Sequence, residues 1–160
     1  MFSYAKKHFE VRGVGTTLVL AYLNRDDMHI AWAGDSRLYR LREGDLELVS
    51  HDHSLVQQMI DDGDISFVES LVHPDQNLVT KCLGGKSEVL VEPEFRSGKI
   101  QPGDRILLCS DGLNSMLADQ QIADIMSAQQ SLSDCTKALI DQANEFDGND
   151  NITVLLIEIN

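Results

Sequence analysis

A chain of 160 residues can form one domain with a buried core, and its composition, 42% hydrophobic with three prolines, is that of a folded protein. Its 13 basic and 26 acidic residues give a formal net charge of −13, which disfavours nucleic-acid and anionic membrane partners and favours divalent cations. No apolar run approaches the roughly 18 residues of a membrane span, so we expect one cytoplasmic domain over residues 1–160.

The first half of the chain is a series of short strand-like segments separated by turns. Residues 3–12 are polar and are followed by Gly13, as at the end of a helix. Four β-rich segments come next, at residues 18–23, 28–33, 38–42 and 46–49. Because the turns between them are short, the sequence predicts an antiparallel meander from Gly15 to Val49.

The middle of the chain begins with a helix. Ser54 has the position of an N-cap, and the apolar stripe after it ends near Gly63. Residues 64–77 show no sustained period, which predicts a surface flap of the kind that often carries function. Strand-like patterns return at residues 78–80 and 89–95.

Two apolar runs in the last third predict central strands. Residues 106–109 and 152–157 are too short for buried helices, so we interpret both as strands. We expect Leu108 and Val154, within these runs, to be fully buried.

Two amphipathic helices are predicted between the apolar runs. They cover residues 120–127 and 134–146, with Asp119 and Ser133 as their N-caps. The sequence therefore changes from a β-rich to a helical pattern after residue 111, with one further strand at the end.

The three cysteines predict neither a disulfide framework nor a zinc site. Cys82, Cys109 and Cys135 are odd in number, far apart and without a CxxC spacing. We expect them to be reduced.

Three aspartates share one local pattern, because each lies next to an apolar strand and has a glycine within two residues. They are Asp35, Asp111 and Asp150. Carboxylates on adjacent rigid strand ends suit hard cations such as magnesium and manganese, which take oxygen ligands. Such a site could also hold a phosphate and activate a water molecule. The residues alone leave an alternative open, which is three solvated turn acids in an acidic chain.

Five short motifs occur in order along the chain. They are Gly15-Thr16-Thr17, Ala33-Gly34-Asp35-Ser36-Arg37, Asp52-His53-Ser54, Ser110-Asp111-Gly112-Leu113 and Gly148-Asn149-Asp150-Asn151-Ile152-Thr153-Val154. In order and approximate spacing they resemble the metal-dependent protein phosphatases of type 2C, in particular the bacterial members. The resemblance implies an α+β fold in which two packed, mainly antiparallel β-sheets are flanked by helices, an αββα sandwich.

The resemblance also implies a function. Family members are protein serine/threonine phosphatases, which hydrolyse phosphoserine and phosphothreonine of phosphorylated proteins with metal-activated water. They bind two or three manganese or magnesium ions. By this resemblance Asp111 and Asp150 are ligands of the core metal pair, and Asp35, with Asp111, holds a third ion. Residues 64–77 correspond to the flap that shapes substrate access, and no other residue is assigned to catalysis.

The family pattern includes features that residues 1–13 do not supply. These are an arginine that binds phosphate and an Asp-Gly-x-Gly-Gly motif whose aspartate bridges the two core metals. We therefore expect the chain to match the C-terminal two thirds of the family domain, with sheets that are incomplete on the N-terminal side. Two hypotheses remain, an active phosphatase and a catalytically impaired fragment or regulatory binding module. Neither the substrate protein nor the oligomeric state is predicted.

Other polar residues near the motifs are expected to have structural roles. We expect Arg37 to neutralise an acid rather than to contact phosphate. We expect His51 and His53 to be solvated or hydrogen-bonded groups rather than general acids. If the aspartates cluster, at least one of them should have a raised pKa, because like charges close together disfavour joint ionisation.

Overall fold

The computed structural model describes residues 14–84, 92–128, 131–146 and 150–160. Within these ranges the chain forms nine β-strands and five α-helices. None of the described helices combines the length and hydrophobicity needed to cross a membrane. The predicted helix end at residues 3–12 lies outside the described residues, as do residues 89–91 of the strand predicted at 89–95, whose last two residues begin an observed strand.

The secondary structure follows the sequence pattern closely. The strands are β1 (Gly15–Thr16), β2 (Leu18–Asn24), β3 (Asp27–Ala33), β4 (Arg37–Arg42), β5 (Asp45–Leu48), β6 (Leu83–Gly84), β7 (Glu94–Lys99), β8 (Arg105–Cys109) and β9 (Val154–Glu158). The helices are α1 (Leu55–Asp61), α2 (Phe67–Ser70), α3 (Asp111–Asn114), α4 (Asp119–Ala128) and α5 (Leu132–Glu145). The strand predicted at 78–80 is reduced to a single bridge between Ser54 and Val79.

The strands form two main antiparallel sheets and one short pair. One sheet has the order β2-β3-β7, the other has the order β5-β4-β8-β9, and β1 pairs with β6. The predicted meander from Gly15 to Val49 is therefore wrong, because the β2–β3 hairpin belongs to one sheet and the β4–β5 hairpin to the other. The chain changes sheets just after β3, where Gly34 has a φ of +117° that turns the backbone out of the strand.

The two main sheets pack face to face. Met28, Ile30 and Trp32 on one face of β3 belong to the same cluster as Leu38 and Ile106 of the four-stranded sheet, and each of the five is at most 2% exposed. Alternate residues of each strand thus face the space between the sheets. This arrangement confirms the predicted α+β class with two packed, mainly antiparallel sheets.

Helices α3, α4 and α5 cover the other face of the four-stranded sheet. Leu107 and Cys109 of β8 point to this side, where they form a second cluster with buried helical side chains that include Leu113, Ile122 and Leu139. The cluster packs beneath the end of β8, on the helix-covered side of the sheet. Cys109 is thus a core residue, at 2% exposure.

The burial predicted for Leu108 and Val154 is wrong, since both are only half-buried. Leu108 is paired in register with Leu155 of the outermost strand β9, and the Leu155 side chain is 51% exposed. The space between the sheets is therefore not fully covered at this position. The completely buried residues of β8 are its neighbours Ile106 and Leu107.

Two N-caps can be compared with their predictions. Ser54 caps α1 as predicted, since its side chain accepts a hydrogen bond from the Gln57 N–H. The cap of α5 is Ser131 rather than Ser133, because the Ser131 hydroxyl accepts a hydrogen bond from the Asp134 N–H. The helix therefore begins two residues earlier than expected.

Candidate functional site

One cleft collects the three predicted aspartates. It has a volume of about 470 Å³ and is lined by the loops after β3 and β8, the loop before β9, helix α1 and the flap. Its acidic side chains are Asp35, Asp52, Asp111 and Asp150. Asp111 and Asp150 thus line the same cleft, as the sequence predicted.

Asp35 lies on a tight turn that only glycine permits. A Cβ atom on the preceding Gly34 would lie 2.3 Å from Cγ2 of Thr17, so a larger residue has no room there. The Thr17 hydroxyl also lies 2.8 Å from the hydroxyl of Ser36. The small residues of the Gly15-Thr16-Thr17 motif therefore allow close contact with the turn that carries Asp35.

The pKa of Asp35 is raised above its ordinary value. Burial of the carboxyl group is the largest cause, and the negative charge of Asp111 is the second, with Asp52 acting in the same direction. This confirms the expectation of a raised pKa among the aspartates, although burial contributes more than repulsion. A cation in the cleft would favour the ionised form of Asp35.

The loops that carry Asp111 and Asp150 are tied together by Ser110. The Ser110 hydroxyl donates to the backbone oxygen of Asn151 at 3.1 Å and accepts from the Thr153 N–H at 3.0 Å. The Ser110 N–H donates to the Thr153 oxygen at 3.1 Å. These three bonds fix the relative position of two loops that lie far apart in sequence.

Gly112 allows the same two loops to approach each other. A Cβ atom at Gly112 would lie 2.5 Å from the backbone oxygen of Asn151. The glycine that follows Asp111 is therefore needed for space, within the short helix α3.

Arg37 lines the cleft, but its charge is neutralised by Asp52. Its Nε lies 3.0 Å from Oδ1 and its Nη2 2.7 Å from Oδ2 of that carboxylate. Its Nη1 donates to the Tyr39 hydroxyl at 2.8 Å, which in turn donates to Asp119 at 3.0 Å. The structural role expected for Arg37 is thus confirmed, and its partner is Asp52 rather than Asp35, two residues before it.

Comparison with known proteins identifies the family of this chain. The sequence model of protein phosphatase 2C matches residues 3–146. The serine/threonine phosphatase stp of Listeria welshimeri is 39% identical over 157 residues, which are 98% of this chain and 62% of that protein. The chain belongs to the protein phosphatase 2C family.

Solved structures of phosphatase 2C members share the fold. The serine/threonine phosphatase Stp1 from Staphylococcus aureus superimposes with a TM-score of 0.93 at 31% identity, covering 99% of this chain and 62% of that one. The catalytic domain of the phosphatase PstP in complex with two manganese ions gives a TM-score of 0.85 at 28% identity, covering 98% and 64%. The present chain thus spans somewhat over three fifths of the length of these relatives.

The side chains of the phosphatase 2C cleft offer the type of donor atom that a hard divalent cation prefers. Carboxylate oxygens are the donors that manganese and magnesium prefer, and three of the four cleft acids were predicted as metal ligands. Among the described residues, however, no group of three or more His, Cys, Asp or Glu side chains is close enough together to hold an ion. An ion bound to the described residues would complete its coordination with water.

The flap of this phosphatase 2C chain, residues 64–77, contains the short helix α2. Ser66 and Glu69 form a capping box at its start. Phe67 and Leu71, one helical turn apart, both line the cleft, yet their side chains are 64% and 57% exposed. The flap therefore places an apolar edge beside the acidic side chains.

The two histidines near the cleft are hydrogen-bonded groups, as expected. Nε2 of His51 lies 2.7 Å from Oδ2 of Asp61. His53 is buried, with its Nδ1 atom 3.1 Å from the Gly34 nitrogen and its Nε2 atom 2.8 Å from Oε1 of Glu94. Neither histidine is among the residues that line the cleft.

Sequence reasoning missed the residues that support the aspartates. Asp52 and Ser110 both lie within the five motifs, but no role was assigned to them. Their small size or charge next to a candidate ligand was an available signal. Their partners were not, because the Ser110 hydroxyl bonds to residues 41 and 43 positions away.

Proposed function

We propose that this chain provides part of the active site of a protein serine/threonine phosphatase, acting on phosphoserine and phosphothreonine of phosphorylated proteins. The observation that carries the proposal is the convergence of Asp35, Asp111 and Asp150 in one cleft of a phosphatase 2C member. We further propose that residues 1–160 form one domain and that the protein is cytoplasmic. Its described cysteines are free thiols, which suits a reducing compartment.

The aspartates are proposed as ligands of manganese or magnesium. In this proposal Asp111 and Asp150 hold the core pair of ions, and Asp35, with Asp111, holds a third. When bound, such ions lower the pKa of a water molecule and offset the charge of the phosphate group. The burial that raises the pKa of Asp35 supports the proposal, since a buried carboxylate gains from a cation partner.

The surrounding residues keep the aspartates in place. Ser110 fixes the distance between the Asp111 and Asp150 loops through its hydroxyl group. Arg37 compensates Asp52, so that one of the four cleft carboxylates has its own counter-ion. Because catalysis by positioned groups is sensitive to displacement of about 1 Å, these contacts matter for the rate.

A second candidate is a catalytically impaired fragment or regulatory binding module. One observation favours it, because the described residues do not bring three potential ligands into one tight group. In this reading the cleft binds a metal ion or a phosphorylated partner with little turnover.

Hydrolysis of p-nitrophenyl phosphate and of a phosphothreonine peptide, with millimolar manganese, tests the proposal. We expect slow hydrolysis by the 160-residue chain. A chimera that adds the family's arginine and Asp-Gly-x-Gly-Gly segment should be faster by on the order of 100-fold, because both metal spacing and phosphate orientation improve. Asp111→Asn should abolish the activity of the chimera, since a neutral amide does not supply the ligand charge.

The matched control is Asp124→Asn, which removes the same charge from the exposed face of α4 and should leave activity unchanged. Full activity of Asp111→Asn would remove Asp111 as a ligand and contradict the assignment. A chimera without activity that still binds manganese would favour the binding module.

A further inference from the structure

His53 contacts the turn that carries Asp35 from behind the cleft. Its side chain is only 8% exposed. The Gly34 N–H donates to Nδ1 of His53 at 3.1 Å, and Nε2 lies 2.8 Å from Oε1 of Glu94. The imidazole ring stacks on the indole of Trp32, with ring centroids 6.2 Å apart and planes 12° from parallel. The ring is thus held on both edges and on one face.

These contacts determine which ring nitrogen carries the hydrogen. A backbone N–H can only donate, so Nδ1 must accept with its lone pair. Nε2 therefore carries the hydrogen and donates it to Glu94. That hydrogen bond is the largest cause of a lowered pKa at Glu94, which also accepts from Lys81 at 3.3 Å. Glu94 thus provides an ionised acceptor that fixes the tautomer of His53.

His53 satisfies both backbone groups of Gly34. Besides the bond to Nδ1, the His53 N–H donates to the Gly34 oxygen at 3.0 Å. The Thr80 N–H donates to the His53 oxygen at 2.8 Å, which connects the same residue to the end of the flap region. Gly34 is buried, so neither of its backbone groups has ready access to water as a substitute partner.

We propose that His53 is a positioning residue for Asp35, which it holds toward the cleft by fixing the Gly34 turn. The ring itself does not line the cleft. Its part in metal binding rests on the function proposed above, whereas its effect on the turn does not. Glu94 and Trp32 keep the ring in the orientation that presents Nδ1 to Gly34.

The effect on the turn is tested in the 160-residue chain without metal, by amide hydrogen exchange of Gly34 measured by NMR. In His53→Phe, which keeps a ring beside Trp32 but removes the acceptor, the Gly34 amide should exchange about tenfold faster. In His53→Asn, whose side-chain oxygen can take the place of Nδ1, most of the protection should return. The control amide is that of Ser110, whose bond to Thr153 should be unaffected.

The part in metal binding is tested by titrating manganese into the same variants and following the paramagnetic broadening of the Asp35 and Asp111 amide signals. In His53→Phe, the manganese concentration needed to broaden the Asp35 signal by half should rise about tenfold. In His53→Asn, this concentration should return to that of the unmodified chain. The control variant is His29→Phe, which changes an exposed histidine bonded to Ser97 on another face.

Each outcome decides the proposal. Unchanged Gly34 exchange in His53→Phe, or no recovery in His53→Asn, would overturn the role of the hydrogen bond. Faster exchange with unaltered manganese broadening would show that His53 orders the turn without positioning the ligand, which also overturns the proposal. If the unmodified chain binds no manganese, the proposed metal function fails, while the exchange data still decide whether His53 holds the turn.

Discussion

Ser110 illustrates how a small side chain can fix two loops at once. Its hydroxyl group acts as donor to one backbone group of the Asp150 loop and as acceptor from another. Alanine at this position would lose both bonds. The two aspartates therefore depend on the residues beside them for their spacing.

Asp104 is a buried acid that is paired with Arg42. It is 1% exposed and accepts from Nε and Nη2 of Arg42 at 2.7 Å and 2.6 Å. The hydrogen bond from Arg42 is the largest cause of its lowered pKa, and the backbone N–H of Gln101 lowers it further. The ionised carboxylate thus joins β4 to the turn before β8.

We predict that Asp104→Asn lowers the free energy of unfolding at pH 7 by about 1.5–3 kcal/mol, as for hydrogen bonds to charged groups. Because the folded-state pKa of Asp104 is lowered, its contribution is present above the ordinary value of 3.8 and is lost as the pH falls below it. Urea unfolding of the unmodified chain and of Asp104→Asn should therefore show a difference in unfolding free energy that is smaller at pH 3 than at pH 7.

The control for Asp104 is Asp27→Asn, which breaks an exposed pair with Lys99 and should have little effect. Equal losses in the two variants at pH 7 would show that burial of the Arg42 pair has no special importance.

Strand β8 has two faces with different environments. Leu107 is completely buried against the helices, whereas Leu108 faces the space between the sheets and is half-buried. We predict that Leu107→Ala costs about 2–5 kcal/mol of unfolding free energy, the usual range for core leucines. Leu108→Ala should cost less, below about 2 kcal/mol, because less of its surface is removed from water. Parallel denaturant titrations measure the difference, and a larger loss for Leu108→Ala would contradict the deeper burial of Leu107.

The apolar run in the sequence was sufficient to predict strand β8, but it did not show which face of the strand is more deeply buried. A run of four apolar residues, from Ile106 to Cys109, indicates a strand covered on both sides. Which side is better covered depends on β9 and on helices encoded later in the chain. The change of sheet at Gly34 was missed for a related reason, since short turns on both sides resemble a continuous meander. The Asp35, Asp111 and Asp150 convergence was predictable because all three lie next to strands that meet at the same cleft.

At the scale of the whole molecule, a large negative charge coexists with exposed apolar side chains. On the outer face of the three-stranded sheet, Leu20 and Phe95 flank Ala31 in register and are 47% and 75% exposed. Tyr22 on the same face is 59% exposed. Such a surface favours self-association, and a net charge of −13 opposes it at neutral pH.

We therefore predict that self-association increases with protein concentration and is strongest as the pH approaches the isoelectric point near 4.5, where the repulsion between copies disappears. Sedimentation velocity at pH 8 and pH 5 should show a larger average mass at the lower pH. The double variant Leu20→Lys with Phe95→Lys should reduce this association. The matched control is Val68→Lys with Val72→Lys, which adds the same charge to flap side chains that are 72% and 82% exposed. Both double variants lower the net negative charge, and so the repulsion between copies, by the same amount. Association that is equal in the two variants would therefore show that the outer sheet face is not the contact surface.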